Sequence, residues 1–300
     1  MADYSAQAPG SPVVVAVDGS ASAYQAAAWA AATAVAHRWP LHILVSMGLP
    51  EGYGPGLTLS ENDIEYMNRD GARIVTEAAR IARVAVPGEE LRISTEVAFE
   101  EVRPMLVERS RSAAMMVVGR RGIGAFRRGL LGSVSTAVTR HAHCPVAVVH
   151  DIAGLTEDWK TRPVLVGVDG SENSRPAIEL AFAEASLRKV GLIALHTWSD
   201  STGLAVPLPG WDAVRESEHV LLAEQLAGYR ERYPDVTVRR IVVCDRPARA
   251  LLEESADAQL LVVGSRGRGG FATMTLGSTS NSLLHSVKCP MIVVRSEVAP

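Results

Sequence analysis

Two glycine-rich stretches carry the residues best suited to chemistry. The first, MMVVGRRGIGAFRRGLLGSVS, runs from Met115 to Ser135, and the second, LLVVGSRGRGGFATMTLGSTS, runs from Leu260 to Ser280. Both have the spacing Gly-x2-Gly-x9-Gly-Ser, and each predicts a buried strand that leads through a glycine loop into a helix. Backbone N–H groups and the helix dipole attract anions at such a place, and glycine lets the backbone approach closely. The sequence therefore predicts one phosphate site in each half of the chain.

The glycine stretches belong to a longer repeat. VVVAVDGS at residues 13–20 returns as VLVGVDGS at 164–171, and HCPVAVV at 143–149 returns as KCPMIVV at 288–294. The anchors keep the same order in both halves, which indicates a tandem duplication of one domain. We expect one domain over residues 1–150 and the other over 164–300. Residues 151–163 are polar, lack periodicity and end in proline, so they predict the linker.

Strand and helix patterns alternate within each half. Such alternation predicts an α/β fold, a parallel sheet covered by helices on both faces. Ligands bind such sheets at the carboxyl ends of the strands, and Asp18, Gly119, Asp169 and Gly264 all follow predicted strands. Ser133 is the expected N-cap of the helix after the first glycine loop. One long helix is expected from Asp212 to Tyr233.

Composition narrows the class of protein. The 300 residues are 47% hydrophobic with a net charge of -3, so we expect no nucleic-acid partner. No stretch approaches the roughly 18 apolar residues of a membrane span, and the N-terminus lacks a secretory pattern. Cys144 and Cys289 occupy equivalent places and predict buried structural thiols. Without CxxC or metal-ligand spacing, the cysteines favour a reducing cytoplasm.

Other nucleotide motifs fit less well. A P-loop requires GxxxxGK[ST], and neither glycine stretch has that lysine. Residues 267–272 match a loose GxGxxG/A pattern, but they follow the fourth predicted strand of their half, whereas a dinucleotide motif follows the first. The eight histidines form no cluster in the sequence, and no Ser–His–Asp or Cys–His arrangement follows from spacing. We therefore predict no catalytic residues.

The paired motifs, each with its Val-Asp-Gly-Ser partner, resemble the universal stress protein family in its tandem, ATP-binding form. The resemblance covers nearly the whole chain, and the halves look like the tandem proteins of mycobacteria and other actinobacteria. It implies two Rossmann-like domains, each a five-stranded parallel sheet of order 3-2-1-4-5. It also implies one ATP per domain, with or without Mg²⁺, and a homodimer.

The resemblance assigns ligand contacts residue by residue. Asp18 and Asp169 would lie near the ribose or a metal on the phosphates, and Ser46 and Thr197 near the adenine. The implied contacts of the first half are Ala16, Asp18, Ser46, Gly119, Arg120, Arg121, Gly122, Ile123, Gly124, Ala125, Gly132, Ser133, Val134 and Ser135. Those of the second half are Gly167, Asp169, Thr197, Asp200, Gly264, Ser265, Arg266, Gly267, Arg268, Gly269, Gly270, Gly277, Ser278, Thr279 and Ser280.

Three functions remain open at this point. The first is a cytoplasmic ATP-binding regulator of stress response or growth arrest, acting through a protein partner that the sequence does not name. The second is a slow ATPase in which Asp18 or Asp169 holds a metal and an arginine stabilises transferring charge. The third is an interaction scaffold in which the nucleotide is structural.

Overall fold

The computed structural model describes residues 10–48, 60–120, 122, 131–150, 157–198, 211–268 and 275–295. The chain divides into two compact units, one for each half of the sequence. The expected α/β class is confirmed in both. Within the described ranges, no helix is both long enough and apolar enough to cross a membrane.

The first unit is a five-stranded parallel sheet with helices between its strands. Its strand order is β3-β2-β1-β4-β5, as the resemblance implies. In chain order its elements are β1 (Val13–Ala16), α1 (Ala21–His37), β2 (Leu41–Ser46), α2 (Glu61–Ala85), β3 (Ile93–Ala98), α3 (Val102–Arg109), β4 (Met115–Gly119), α4 (Ser133–His141) and β5 (Val146–Val149).

The second unit repeats this topology with strand order β8-β7-β6-β9-β10, again all parallel. Short 3-10 turns lie at Glu157–Thr161, Glu172–Ser174 and Ser255–Asp257. The elements are β6 (Val164–Val168), α5 (Arg175–Arg188), β7 (Leu192–Trp198), α6 (Trp211–Leu226), α7 (Tyr229–Arg232), β8 (Val238–Cys244), α8 (Pro247–Glu254), β9 (Leu260–Gly264), α9 (Ser278–Ser286) and β10 (Met291–Val294).

The central strands form the core of each unit. β1 and β4 are almost fully buried, as are β6 and β9, because helices cover both faces of a parallel sheet. Their Val, Leu and Met side chains suit this environment. Alanines of α1 lie against the sheet and let the helix approach closely; Ala26, Ala27 and Ala30 have no exposed surface. This buried layer fixes the strand ends from which the candidate site is built.

Two local predictions were wrong. The helix expected from Asp212 to Tyr233 is broken into α6 and α7, because Gly228 adopts a φ of +78°, a left-handed conformation that ends a helix and suits glycine. The N-cap of α4 is Gly132 rather than Ser133, which is the first helical residue. The end of this loop therefore offers backbone groups where a serine hydroxyl was expected.

The structure confirms that Cys144 and Cys289 are buried thiols, and it places Cys244 at the surface. Both are buried, and burial raises the pKa of each thiol to about 12, whereas Cys244 is exposed at the end of β8. Because the thiolate is the reactive form, we expect one of the three thiols to react quickly with a thiol reagent at neutral pH in the folded chain. All three should react after denaturation. Fast labelling of Cys144 or Cys289 in the folded protein, identified by peptide mapping, would contradict this assignment.

Candidate functional site

The predicted residues at the carboxyl ends of the strands meet in both units. β1 pairs with β4 and β6 pairs with β9, so the turn that follows each first strand faces the loop that follows each fourth strand. The second glycine of each loop lies directly against the aspartate. A Cβ placed on Gly122 would fall inside 3.0 Å of the Asp18 Oδ2, and one on Gly267 inside 3.0 Å of the Asp169 Oδ2. Glycine is favoured here because a side chain would have to displace the carboxylate.

Asp169 connects the turn after β6 to the glycine loop. Its Oδ1 accepts hydrogen bonds from the Ser171 amide (2.9 Å) and from the hydroxyls of Ser171 (2.7 Å) and Ser174 (2.5 Å). Its Oδ2 accepts the Arg268 amide at 2.8 Å. Partial burial acts to raise the pKa of Asp169, but the hydrogen bonds from Ser174, Ser171 and Arg268 outweigh it and hold the pKa below its usual range. The ionised carboxylate therefore positions the loop.

The two glycine loops are closed by the same hydrogen bonds. The Gly132 amide donates to the Arg120 carbonyl at 3.0 Å, and the Gly277 amide donates to the Ser265 carbonyl at 2.7 Å. These matched bonds bring the start of α4 back to the end of β4, and the start of α9 back to the end of β9.

A buried serine then fixes each helix to its strand. The Ser135 hydroxyl donates to the Gly119 carbonyl, and the Ser280 hydroxyl donates to the Gly264 carbonyl, both at 2.7 Å. These two hydroxyls were expected to face a ligand, but their protons are directed to the backbone. Their role in the structure is to hold the helix N-terminus in place.

The helix N-termini lack side-chain caps. Gly132 and Gly277 are the N-cap residues of α4 and α9, and neither has a side chain to accept a hydrogen bond from the first turn. The first-turn amides and the positive end of the helix dipole favour an anion at this position. This is the physical basis of the phosphate site that the glycine spacing predicts.

A cavity of about 500 Å³ opens beside this helix start in the second unit, a size typical of small-molecule sites. Polar backbone of the glycine loop and α9 forms one part of its wall, and apolar side chains from β7, α8 and β9 form another. Its lining residues are Gly167, Val168, Asp169, Ser174, Leu195, Thr197, Trp198, Val214, Glu218, Pro247, Leu251, Val263, Gly264, Arg266, Gly267, Arg268, Gly277, Ser278, Thr279 and Ser280.

The cavity gathers most of the contacts expected in the second half. Ser265 is an exception, because its side chain is buried and does not line the cavity; among the described residues, the Ser265 hydroxyl has no hydrogen-bond partner. Thr197 lines the cavity as expected. Three expected contacts of the second half lie outside the described residues: Asp200, Gly269 and Gly270.

The first unit is described less completely around its loop. Ser46 ends β2 as expected, but its hydroxyl donates to the Glu100 carbonyl at 2.7 Å and accepts the Gly48 amide at 3.2 Å, so it closes the loop after the strand. Ala16 ends β1, beside Val118 of β4. Four expected contacts of this half lie outside the described residues: Arg121, Ile123, Gly124 and Ala125.

Positive charge gathers beside the second glycine loop. Arg266 lines the cavity, and Arg295 follows β10, whose last residue pairs with Gly264. Partial burial, and then the nearby charge of Arg266, lower the pKa of Arg295. Like charges repel, so this pair of guanidinium groups favours an anion beside them.

Sequence reasoning missed three cavity residues that carry distinctive groups: Trp198, Glu218 and Leu251. It also assigned no role to His196, which is fully buried and hydrogen-bonded to Glu218. The position of His196 near the end of a strand was a weak signal. Glu218 carried none, because one acidic residue in a charged helix usually faces solvent.

A second polar cluster lies on the sheet of the first unit. His42 on β2 has Ser94 Oγ at 2.9 Å from Nδ1 and Glu96 Oε2 at 3.0 Å from Nε2. The arrangement Ser94–His42–Glu96 resembles the hydroxyl–imidazole–carboxylate sequence of a catalytic triad, and the spacing of these residues in the sequence did not indicate it. Glu96 also accepts from Arg109 of α3 at 2.5 Å, so we interpret the cluster as a network that ties the edge strand β3 to its neighbours.

Metal ligands do not gather in the described ranges. Nowhere in them do three or more His, Cys, Asp or Glu side chains come close enough together to hold a metal ion. A metal at Asp169 would have to compete with the four hydrogen bonds that its carboxylate accepts.

Comparison with known proteins agrees with the repeat and the fold. The universal stress protein family matches residues 11–150 and again residues 160–295. A universal stress protein of Mycobacterium bovis is 46% identical over 286 residues, 94% of this chain and 96% of the relative. One of Mycobacterium tuberculosis is 38% identical over 287 residues, 95% of this chain and 97% of the relative. The crystal structure of a universal stress protein from Archaeoglobus fulgidus has a TM-score of 0.69 at 23% identity, covering 95% of this chain and 98% of that one, which supports the fold. The chain belongs to the universal stress protein family and carries two of its domains in tandem.

Proposed function

We propose that this protein is a cytoplasmic regulator of stress response or growth arrest that binds one ATP in each unit. The observation that carries the proposal is the repeated construction of the site. In each unit the second glycine of the motif lies against an aspartate, and the helix at the end of the motif begins without a side-chain cap. In the second unit this construction borders a cavity of about 500 Å³, large enough for a small-molecule ligand.

The lining of the second cavity matches the parts of a nucleotide. Phosphates suit the first turn of α9 and the loop around Gly267, where backbone amides and the Arg266 guanidinium concentrate positive charge. The base suits the apolar part of the wall near Trp198 and Leu251, with Thr197 able to donate or accept a hydrogen bond. The first unit repeats the phosphate half of this arrangement.

Regulation by binding fits these residues better than hydrolysis. Asp169 is the carboxylate best placed to activate water or hold Mg²⁺, but both of its oxygens already accept hydrogen bonds. A Mg²⁺ ion accompanying ATP therefore suits a water-mediated contact with this carboxylate better than direct coordination. A bound nucleotide would act by favouring one conformation of the unit and so changing its affinity for a protein partner.

Trp198 supplies a direct test of the second site. Because Trp198 lines the cavity, we expect its fluorescence to change in intensity or wavelength when ATP binds, with a saturable dependence on ATP concentration. Trp198→Phe should remove this change, whereas Trp29→Phe, in α1 of the first unit, should keep it. If calorimetry also shows no ATP binding to the wild-type chain, a flat fluorescence titration would refute the proposed function.

We further propose that the chain forms a homodimer, on the basis of the family resemblance. Sedimentation velocity with and without ATP tests this. A monomer at every accessible protein concentration would contradict it.

A further inference from the structure

The second unit contains a buried imidazole at the wall of its cavity. His196 has no exposed surface, and its Nδ1 lies 2.7 Å from the Val168 carbonyl oxygen. A carbonyl oxygen only accepts, so Nδ1 carries a hydrogen and donates it. Nε2 lies 2.7 Å from Oε2 of Glu218 on α6, and a hydrogen bond of this length requires a proton between the two atoms. His196 therefore fixes the orientation of the Glu218 carboxyl group.

Glu218 in turn faces an arginine of the glycine loop. The Arg268 Nη2 lies 3.8 Å from the Glu218 Oε2, and the Arg268 amide is held by Asp169. The Arg268 side chain passes over the turn after β6, where a Cβ on Gly170 would overlap its Nη2. Arg268 therefore bridges the glycine loop and α6 at the cavity wall, and its side chain remains 47% exposed.

The first unit does not repeat this network. β1 pairs Val13 with Leu41, and β6 pairs Val164 with Leu192, so the equivalent of His196 is Val45. The turn glycines Gly19 and Gly170 face Ile74 and Leu221, respectively. Three positions earlier on each helix stand Gly71 and Glu218. The two units therefore differ in the residues beside the turn that follows the first strand.

We propose that Glu218, oriented by His196, holds Arg268 as a latch between the glycine loop and α6, and that a phosphate-bearing ligand in the second site opens the latch by taking Arg268 from Glu218. The proposal rests on the proposed nucleotide function. An ion pair at 3.8 Å with a partly exposed arginine is weak, because water screens the two charges. A guanidinium–phosphate contact, with two parallel hydrogen bonds, is stronger. Ligand binding would then release α6 in the second unit only, since the first unit has neither His196 nor Glu218.

The latch makes Glu218 a competitor of the ligand, which a double-mutant cycle detects. We would measure the ATP dissociation constant by calorimetry in a Gly122→Glu background, in which the first site is disabled. The four proteins are this background alone and with Glu218→Gln, Arg268→Gln or both. Glu218→Gln is conservative, because its amide can donate to His196 Nε2 and preserve the buried hydrogen bond.

We expect Glu218→Gln to tighten ATP binding roughly threefold to fivefold, which is what losing an ion pair of this kind corresponds to. Arg268→Gln should weaken binding, and adding Glu218→Gln to it should change nothing further. In the nucleotide-free protein, the same four variants compared by thermal unfolding should show a favourable coupling between the Glu218 and Arg268 side chains.

Two results would overturn the latch. One is an equal effect of Glu218→Gln with and without Arg268, because Glu218 would then act on ATP binding independently of Arg268. The other is absence of coupling in the nucleotide-free protein. If neither the wild-type chain nor any of the four variants binds ATP, the proposed function fails. The coupling measured in the nucleotide-free protein then still decides whether Glu218 holds Arg268.

Discussion

We expect each wild-type chain to bind two molecules of ATP, one at each glycine motif, and each of the variants Gly122→Glu and Gly267→Glu to bind one. At both positions an added Cβ falls beside the Oδ2 of an aspartate, at Asp18 or Asp169. A glutamate there displaces the loop and places a second negative charge where phosphate should bind. Titration calorimetry measures the change as a loss of stoichiometry, and the double variant should bind no ATP.

The choice of positions matters for this experiment. A Cβ on Gly119 would strike the backbone of Ser22 in α1, so a substitution there perturbs packing as well as the loop. At Gly122 and Gly267 the obstacle is a carboxylate at the end of a side chain, which can move. Ser112→Glu, which adds the same charge at an exposed position, is the matched control and should keep both sites. Retention of full stoichiometry by the double variant would show that ATP binds elsewhere.

Asp169→Asn should weaken ATP binding to the second site by about tenfold to a hundredfold. The asparagine oxygen can replace the Oδ1 that accepts from Ser171 and Ser174, but its NH₂ group then faces the Arg268 amide, which is also a donor. A hydrogen bond to a charged group contributes about 1.5–3 kcal/mol, so the loop is expected to detach from the turn when this bond is lost. The affinity is measured in the Gly122→Glu background, in which we expect only the second site to bind ATP.

The pH dependence of stability checks the same contact. Because hydrogen bonds hold the pKa of Asp169 below its usual range, the folded state favours the carboxylate. Its contribution to the free energy of unfolding is present above the unfolded pKa of about 3.9 and is lost as pH falls through the lower folded pKa. The stability difference between wild type and Asp169→Asn should therefore shrink below about pH 4. Asp257→Asn, at an exposed position, is the control; a difference that persists unchanged into acid would contradict the assignment.

The strands of both sheets could be predicted from the sequence because each strand has a local signal, a short apolar run. Runs such as Val164–Val168 and Met291–Val294 are apolar and bounded by turn residues, and the structure places strands over the same residues. The duplication strengthened each assignment, because a pattern seen twice in order is rarely accidental. The strand order itself came from the family resemblance, since no local pattern specifies which strands are neighbours.

The failures have physical reasons too. The break at Gly228 depends on a left-handed backbone conformation that glycine permits but does not require. Ser265 was expected to line the loop, but the bond from its amide to Val294 extends the pairing of β9 with β10 and turns the side chain inward. His196 and Glu218 are 22 residues apart, and only the packing of α6 on the sheet brings them together.

The aspartates illustrate how a correct position can carry an unexpected contact. Asp18 and Asp169 were predicted at the strand ends beside the glycine loops, and the structure places them there. The repeated Val-Asp-Gly-Ser sequence was enough for that. It could not show that Asp169 accepts hydrogen bonds from two serines and from the loop itself, because this depends on how the turn before α5 folds.

Nucleotide binding at the two glycine motifs is tested by purifying the protein, denaturing it, and identifying and quantifying the small molecule released. The emptied and refolded chain is then titrated with ATP. We expect adenine nucleotide, released or taken up, at a ratio approaching one per glycine motif, and we expect it to be lost in the Gly122→Glu, Gly267→Glu double variant. A wild-type chain that neither releases nor takes up adenine nucleotide would contradict this expectation.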